Sequence, residues 1–183
     1  MIDITNLSVR FGEKQVFDNY SISLPDEGVI LISGKSGIGK TTLLRVLCGL
    51  QKPDQGRIEG LGNRRISFVF QEPRLLDHLT AFENVALVSD RITAERILRE
   101  LNMQNELNSK AGKLSGGQKQ RVSLARAFAY SNDIVLLDEP FNGLDAQNKE
   151  KAASLIRTAR LAVVVSHDPD DAELLSVDEK IQL

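Results

Sequence analysis

The sequence predicts an α/β fold: a doubly wound, mostly parallel sheet with an N-terminal antiparallel β part and a small helical subdomain. Three observations carry this. Short apolar runs at 29–33, 66–70, 134–138 and 161–166 alternate with helical patterns from residue 29 onward, the arrangement of a parallel sheet whose ligands gather at the carboxyl ends of its strands. Residues 2–11 and 16–24 alternate apolar and polar around Gly12-Glu13-Lys14, which reads as an antiparallel hairpin. Between 72 and 113 nothing strand-like occurs, while helix-start signals do.

The elements follow in order. Val29–Ser33 is a fully apolar strand running into a glycine-rich loop, and Thr41–Leu50 is the helix after it. Pro53-Asp54-Gln55-Gly56 marks a turn before Arg57-Ile58-Glu59, and Ile66–Phe70 is the next strand. Thr80-Ala81-Phe82-Glu83 is a capping box opening a helix to about Val88, and Ala94–Leu101 is a second helix. Helix 116–129, strand 134–138, helix 146–159, strand 161–166, a short helix from about Pro169 and a strand-like tail 178–183 complete the chain.

The chain has 183 residues, 42% hydrophobic and 26% charged, which suits one domain with a real core. That domain spans 1–183, with a core from 1–71 and 115–183 and the helical subdomain at 72–114. A net charge of −2 gives no basic footprint, so no nucleic acid is expected as a partner. Apolar runs such as Leu161–Val165 fall far short of the roughly 20 residues that span a bilayer, and Met1-Ile2-Asp3-Ile4 lacks a secretory pattern. The single cysteine, Cys48, reads as a buried cytosolic thiol on the helix after the glycine loop. The expectation is a soluble intracellular chain whose membrane role, if any, comes through a partner.

Gly34-Lys35-Ser36-Gly37-Ile38-Gly39-Lys40-Thr41 fits the pattern GxxxxGK[ST] between an apolar strand and a helix. Gly34, Gly37 and Gly39 permit backbone geometry that turns several N–H groups into one anion-sized hollow. The helix start, including Thr42, adds its positive dipole end. Lys40 supplies a point charge toward β- and γ-phosphates, and the Thr41 hydroxyl suits Mg²⁺. The segment therefore predicts a P-loop NTPase that binds ATP with Mg²⁺, contacted by Lys35, Ser36, Ile38 and the other loop residues through Thr42.

Ile134–Leu137 leads into Asp138 and Glu139, two carboxylates at a strand's mouth. Successive strand side chains diverge, yet at the strand end Asp138 can lean to the metal while Glu139 meets an attacking water. Gln71 follows strand 66–70, where a neutral amide can ligate the metal or orient water without repelling phosphate.

Leu114-Ser115-Gly116-Gly117-Gln118 opens helix 116–129 with Ser115 at the N-cap and Gln118 three residues on. Two glycines in a first turn each cost up to about 1 kcal/mol against alanine. What they provide is close approach of a ligand to the helix start. A second phosphate site on a chain with room for one nucleotide is most economically a site for a partner's nucleotide, which predicts a two-fold dimer with two ATP molecules between the chains.

In this order the three motifs resemble an ATP-binding cassette (ABC) ATPase subunit, and the resemblance covers nearly the whole chain. It implies Glu139 as general base, His167 in Ser166-His167-Asp168-Pro169 as the switch histidine on the γ-phosphate, and Gln71 as the link between γ-phosphate and helical subdomain. It implies Phe11 as the aromatic stacked on adenine, and Asn142-Gly143-Leu144-Asp145 as the D-loop, with Asp145 at the dimer interface and also a good N-cap. It also implies a head-to-tail ATP-sandwich homodimer. Asn142-Gly143 departs from the family's commoner Ser-Ala. His78 matches no family position and reads as structural.

Gln71-Glu72-Pro73-Arg74-Leu75-Leu76-Asp77-His78-Leu79-Thr80 resembles importer-type subunits of the nitrate, sulfonate or taurine branch. The resemblance implies a separate integral membrane permease docked on 72–114, and a location on the cytoplasmic, inner face of the cell membrane. An exporter or lipid-extracting ATPase, a soluble ATP switch and a non-hydrolysing scaffold are the alternatives. Only residues 168–183 follow His167, so no C-terminal regulatory domain is expected.

Overall fold

A computed structural model describes residues 1–183. Strands β1 (Ile2–Phe11) and β2 (Lys14–Leu24) form the expected hairpin. Strand β3 (Gly28–Ser33) leads through the glycine loop to helix α1 (Lys40–Leu47). Strand β4 (Gln55–Glu59) pairs antiparallel with β1, and β5 (Ile66–Val69) opens the helical subdomain. That subdomain holds α2 (Ala81–Ala86), α3 (Arg91–Glu100) and a 3₁₀ turn at Ala111–Lys113. Then follow α4 (Gly116–Tyr130), β6 (Ile134–Asp138), α5 (Ala146–Ile156), β7 (Leu161–Val165), α6 (Asp171–Leu174) and β8 (Glu179–Gln182).

Two sheets result. One is the antiparallel order β2-β1-β4, and the other is a five-stranded parallel sheet in the order β5-β6-β7-β3-β8. Parallel strands covered on both faces need apolar residues at every position, and β6 and β7 are buried along their whole length. Their side chains divide by the strand period of two. Val29, Leu31, Val135, Leu137, Ala162 and Val164 face the core shared with α4, α5 and the helical subdomain. Ile30, Ile32, Ile134, Leu136, Leu161 and Val163 face the core shared with α1 and the antiparallel sheet. Each large side chain fully buried contributes about 1.5–3 kcal/mol, so the sheet is the rigid plate on which the loops stand.

Several boundaries differ from expectation for local reasons. Helix α1 stops at Leu47, three residues before Leu50, because Gly49 turns the chain at φ +74°. Cys48 there is half-buried rather than buried, although burial still pushes its thiol up. Helix α5 ends at Ile156, not 159, where the Thr158 hydroxyl donates to Leu155 O at 2.7 Å. Helix α3 begins at Arg91, three residues before Ala94, because the Asp90 side chain caps Thr93 N. Helix α2 ends at Ala86 rather than near Val88, but its capping box forms as expected, with Glu83 N donating to Thr80 Oγ1 and Thr80 N to Glu83 Oε2.

One buried polar residue organises the helical subdomain. Asn84, fully buried, accepts from Leu76 N at 2.8 Å and donates to Leu76 O and Thr80 O at 3.1 and 2.9 Å. It thereby fixes the segment after β5 against α2.

Candidate nucleotide site

The carboxyl ends of β3, β6 and β7 open into a cleft of about 680 Å³. It gathers Phe11, Gly34, Ser36, Gly37, Gly39, Lys40, Thr41, Thr42, Gln71, Asp138, Glu139 and His167 from five separate stretches of sequence. Lys35 and Ile38 belong to the same loop without lining the cleft; Ile38 points partly to solvent.

The loop works through backbone geometry. Gly37 has φ +76°, and a Cβ there would meet only Lys14 Nζ, at 4.0 Å. Gly39 has φ +120°, and a Cβ there would meet Val16 and the Phe17 ring at 2.7 and 2.8 Å. Gly39 also caps α1 with no side-chain hydrogen bond, so the first-turn N–H groups are left to face an anion. Lys40 Nζ donates to Gly34 O at 2.7 Å and to Lys35 O at 3.1 Å, which arches the ammonium over its own loop.

Thr41 Oγ1 donates to Asp138 Oδ2 at 2.8 Å. Asp138 is only 4% exposed, and burial pushes its pKa up, partly opposed by Thr41, Arg45 and Lys40. A buried carboxylate without a direct cation is a natural ligand for one. No three His, Cys, Asp or Glu side chains cluster to hold a metal. The two hard oxygens of Thr41 and Asp138 instead fit Mg²⁺, which takes one or two protein ligands and completes its shell from phosphates and water.

Glu139 resolves the problem of two successive carboxylates. Its φ is +51°, a left-handed conformation costly for a residue with a side chain. Glu139 N donates to Val165 O at 2.9 Å, and this kink beyond β6 sends Asp138 and Glu139 into one cleft. His167 Nδ1 lies 2.9 Å from Glu139 Oε1. The bond to Glu139, then its charge, raises the His167 pKa. Phe11, 46% exposed, lines the cleft. Gln71 lines the same cleft one residue past Phe70. Sequence reasoning missed Lys14 and Val16, which reach the cleft from the start of β2; the hairpin turn beside Phe11 was the available signal.

Ser115, Gly116, Gly117 and Gln118 take no part in lining that cleft. They start α4, where Gln118 N donates to Ser115 Oγ at 3.3 Å and Ser115 N to Gln118 Oε1 at 2.9 Å. The helix start is thus partly capped rather than bare. The two glycines also differ in purpose. Gly116 has nothing within 4 Å of a built Cβ, whereas one on Gly117 would stand 2.3 Å from Gly143 O. Only Gly116 fits the expectation of ligand approach; Gly117 is small because the Asn142–Asp145 loop packs on it. Asp145 caps α5, accepting from Asn148 N at 2.9 Å. Arg121 ties these parts together, donating from Nη1 to Leu101 O, Asn102 O and Asn148 Oδ1 at 2.9, 2.9 and 3.1 Å.

The ABC transporter family profile matches residues 17–142. A probable sulfate/thiosulfate import ATP-binding protein CysA of Chlorella vulgaris is 40% identical over 92% of this chain and 81% of its own length. The sulfate/thiosulfate import ATP-binding protein CysA of Escherichia coli K12 is 34% identical over 93% of this chain, which spans 54% of that relative. Among solved structures, a dimeric post-hydrolysis state of the ATP-binding cassette MJ0796 bound to ADP and Pi superposes with TM-score 0.87 at 30% identity, covering 100% of this chain and 94% of that one. The chain belongs to the ABC transporter family, as one of its ATP-binding ATPase cassettes with a P-loop NTPase fold. No helix is long and apolar enough to cross a membrane.

Proposed function

We propose that this chain is the ATP-hydrolysing subunit of an ABC importer and works as a head-to-tail homodimer. Each ATP is held by the P-loop of one chain and by Ser115 and Gly116 of the other. The observation that carries this reading is the exclusion of the Ser115–Gln118 segment from its own chain's P-loop cleft, together with the open space at Gly116. The dimeric MJ0796 cassette with ADP and Pi supports it, and the import names of the CysA relatives favour import over export.

Within each site, Phe11 stacks on the adenine, worth about 1–3 kcal/mol. The loop Gly34–Thr42 and Lys40 hold the phosphates. Thr41, Asp138 and Gln71 would hold Mg²⁺, which would neutralise phosphate charge. Glu139 takes the proton of the attacking water, and His167 holds Glu139 and contacts the γ-phosphate. Loss of that phosphate removes a contact shared by both chains and lets them part. The helical subdomain 72–114 receives a membrane permease, which places the chain on the cytoplasmic face of the membrane. The relatives' names direct the solute reading to sulfate or thiosulfate.

The test is the mass of the Glu139→Gln chain in solution. With Mg²⁺ and ATP it doubles, and without nucleotide it returns to one chain. A single-chain mass with ATP bound contradicts the proposal.

A further inference from the structure

Lys149 lies one turn into α5 and takes no part in the cleft, yet two separate segments flanking the site meet at its ammonium. Nζ donates to Asp168 Oδ2 at 3.0 Å and lies 3.6 Å from Asp171 Oδ1. It also stands 6.0 Å from the centre of the Phe141 ring, two residues beyond Glu139. Asp171 is 3% exposed, and its Oδ1 has no hydrogen-bond partner, so the nearby ammonium is its compensating charge. Its Oδ2 accepts from the Ser166 hydroxyl, whose oxygen in turn accepts from Asp168 N at 3.1 Å. Ser166 and Asp168 are the two chain neighbours of His167. The His167 side chain itself is 73% exposed, with its Glu139 contact on one side.

A solvent-exposed ring keeps one orientation only if its backbone is held on both sides. Here the holding groups lead back to a single cation. That cation sits four residues past Asp145, the cap that closes the Asn142–Asp145 loop onto α5. The bond to Asp168 raises the pKa of Lys149 and lowers that of Asp168, so both are charged through the physiological range.

We propose that Lys149 is the positioning residue for His167, pinning segment Ser166–Asp171 to α5 so that a shift of the Asn142–Asp145 loop reaches the Glu139–His167 pair. This rests on the reading of Glu139 as base and His167 as its holder. Lys149 does not line the nucleotide cleft. It acts through the backbone of His167, and its loss changes turnover rather than ATP affinity.

The test is steady-state ATP hydrolysis by the full chain carrying Lys149→Gln, Lys149→Arg and Asp168→Asn, alone and combined with His167→Ala. Lys149→Gln is expected to lower kcat about tenfold with KM for ATP within about twofold, and Lys149→Arg to restore most of it. Asp168→Asn, which cuts the link from its other end and leaves Lys149 on the buried Asp171, gives the same kcat loss if Lys149→Gln folds poorly. On the His167→Ala background Lys149→Gln adds less than about twofold, because the two residues act as one unit. A folded Lys149→Gln chain with wild-type kcat overturns the proposal, as does its full loss recurring on top of His167→Ala. Glu139→Gln in the same series separates the two readings: if it hydrolyses at the wild-type rate, the base assignment falls. If it is slow while Lys149→Gln is not, only the positioning role falls.

Discussion

Gly117 has no side chain because Gly143 O occupies the place where one would go, 2.3 Å from a built Cβ. The start of α4 and the loop between Glu139 and α5 are therefore packed backbone to backbone. Gly143 itself sits at φ +73°, which suits the departure from alanine that the sequence shows there. Gly117→Ala should push the two segments apart and lower stability by about 1–3 kcal/mol, as overpacking does. Gly116→Ala, with open space at its Cβ, should hold or slightly raise the melting temperature, because alanine suits a helix better, but weaken ATP-dependent pairing. Melting temperature and solution mass of the two variants check this difference.

Glu139→Gln should bind ATP with ordinary affinity and hydrolyse it at least about a hundredfold more slowly, the usual loss for a removed general base. Single-turnover hydrolysis measures it. Near-wild-type turnover would take the base role from Glu139.

Asn84→Leu should destabilise the chain by about 1–3 kcal/mol, because it leaves Leu76 N without its acceptor, whereas Leu76 O and Thr80 O keep their bonds from Leu79 N and the residue-84 N. Chemical denaturation reads the loss, and protection of amides in 75–87 falls first.

Acid should loosen the helix starts. Hydrogen bonds to backbone and hydroxyl groups hold Glu83, Asp90 and Asp145 below the usual carboxylate range. Their folded pKa values lie below the unfolded values near about 4, so this stability is present above that pH and is lost as pH falls through the folded values. Asp138, raised by burial, works in the opposite direction. The contribution of His167 is complete below its unfolded pKa of about 6.5 and is lost as pH rises through its raised folded value. Melting temperature should therefore drop on going from pH 5 toward about pH 3, less steeply in Asp90→Asn, which keeps a cap acceptor without the titrating proton.

Much of this architecture is legible in the sequence because β7 is apolar throughout and β6 is apolar up to its closing Asp138, a pattern that a doubly covered strand requires. The cleft was legible through the P-loop spacing, which fixes backbone conformation as well as residue type. What stayed hidden depends on tertiary contact. The left-handed turn at Glu139 comes from its hydrogen bond to Val165 on a strand 26 residues away. The reason for Gly117 lies in the carbonyl of Gly143. Lys149 and Asn84 look like an ordinary charged and an ordinary polar helix residue until their partners are in place. Helix ends were misjudged at Leu47 and Ile156, where a glycine and a threonine hydroxyl stop the helix ahead of the apolar pattern.

The division of each ATP between two chains is tested most directly by mixing two chains that are each inactive. A Lys40→Ala chain has a defective P-loop and an intact Ser115 segment, and a Ser115→Arg chain has the reverse. A head-to-tail pair of the two contains one complete site, so the mixture should hydrolyse ATP well above the sum of the separate chains. A mixture as silent as its components would contradict the account.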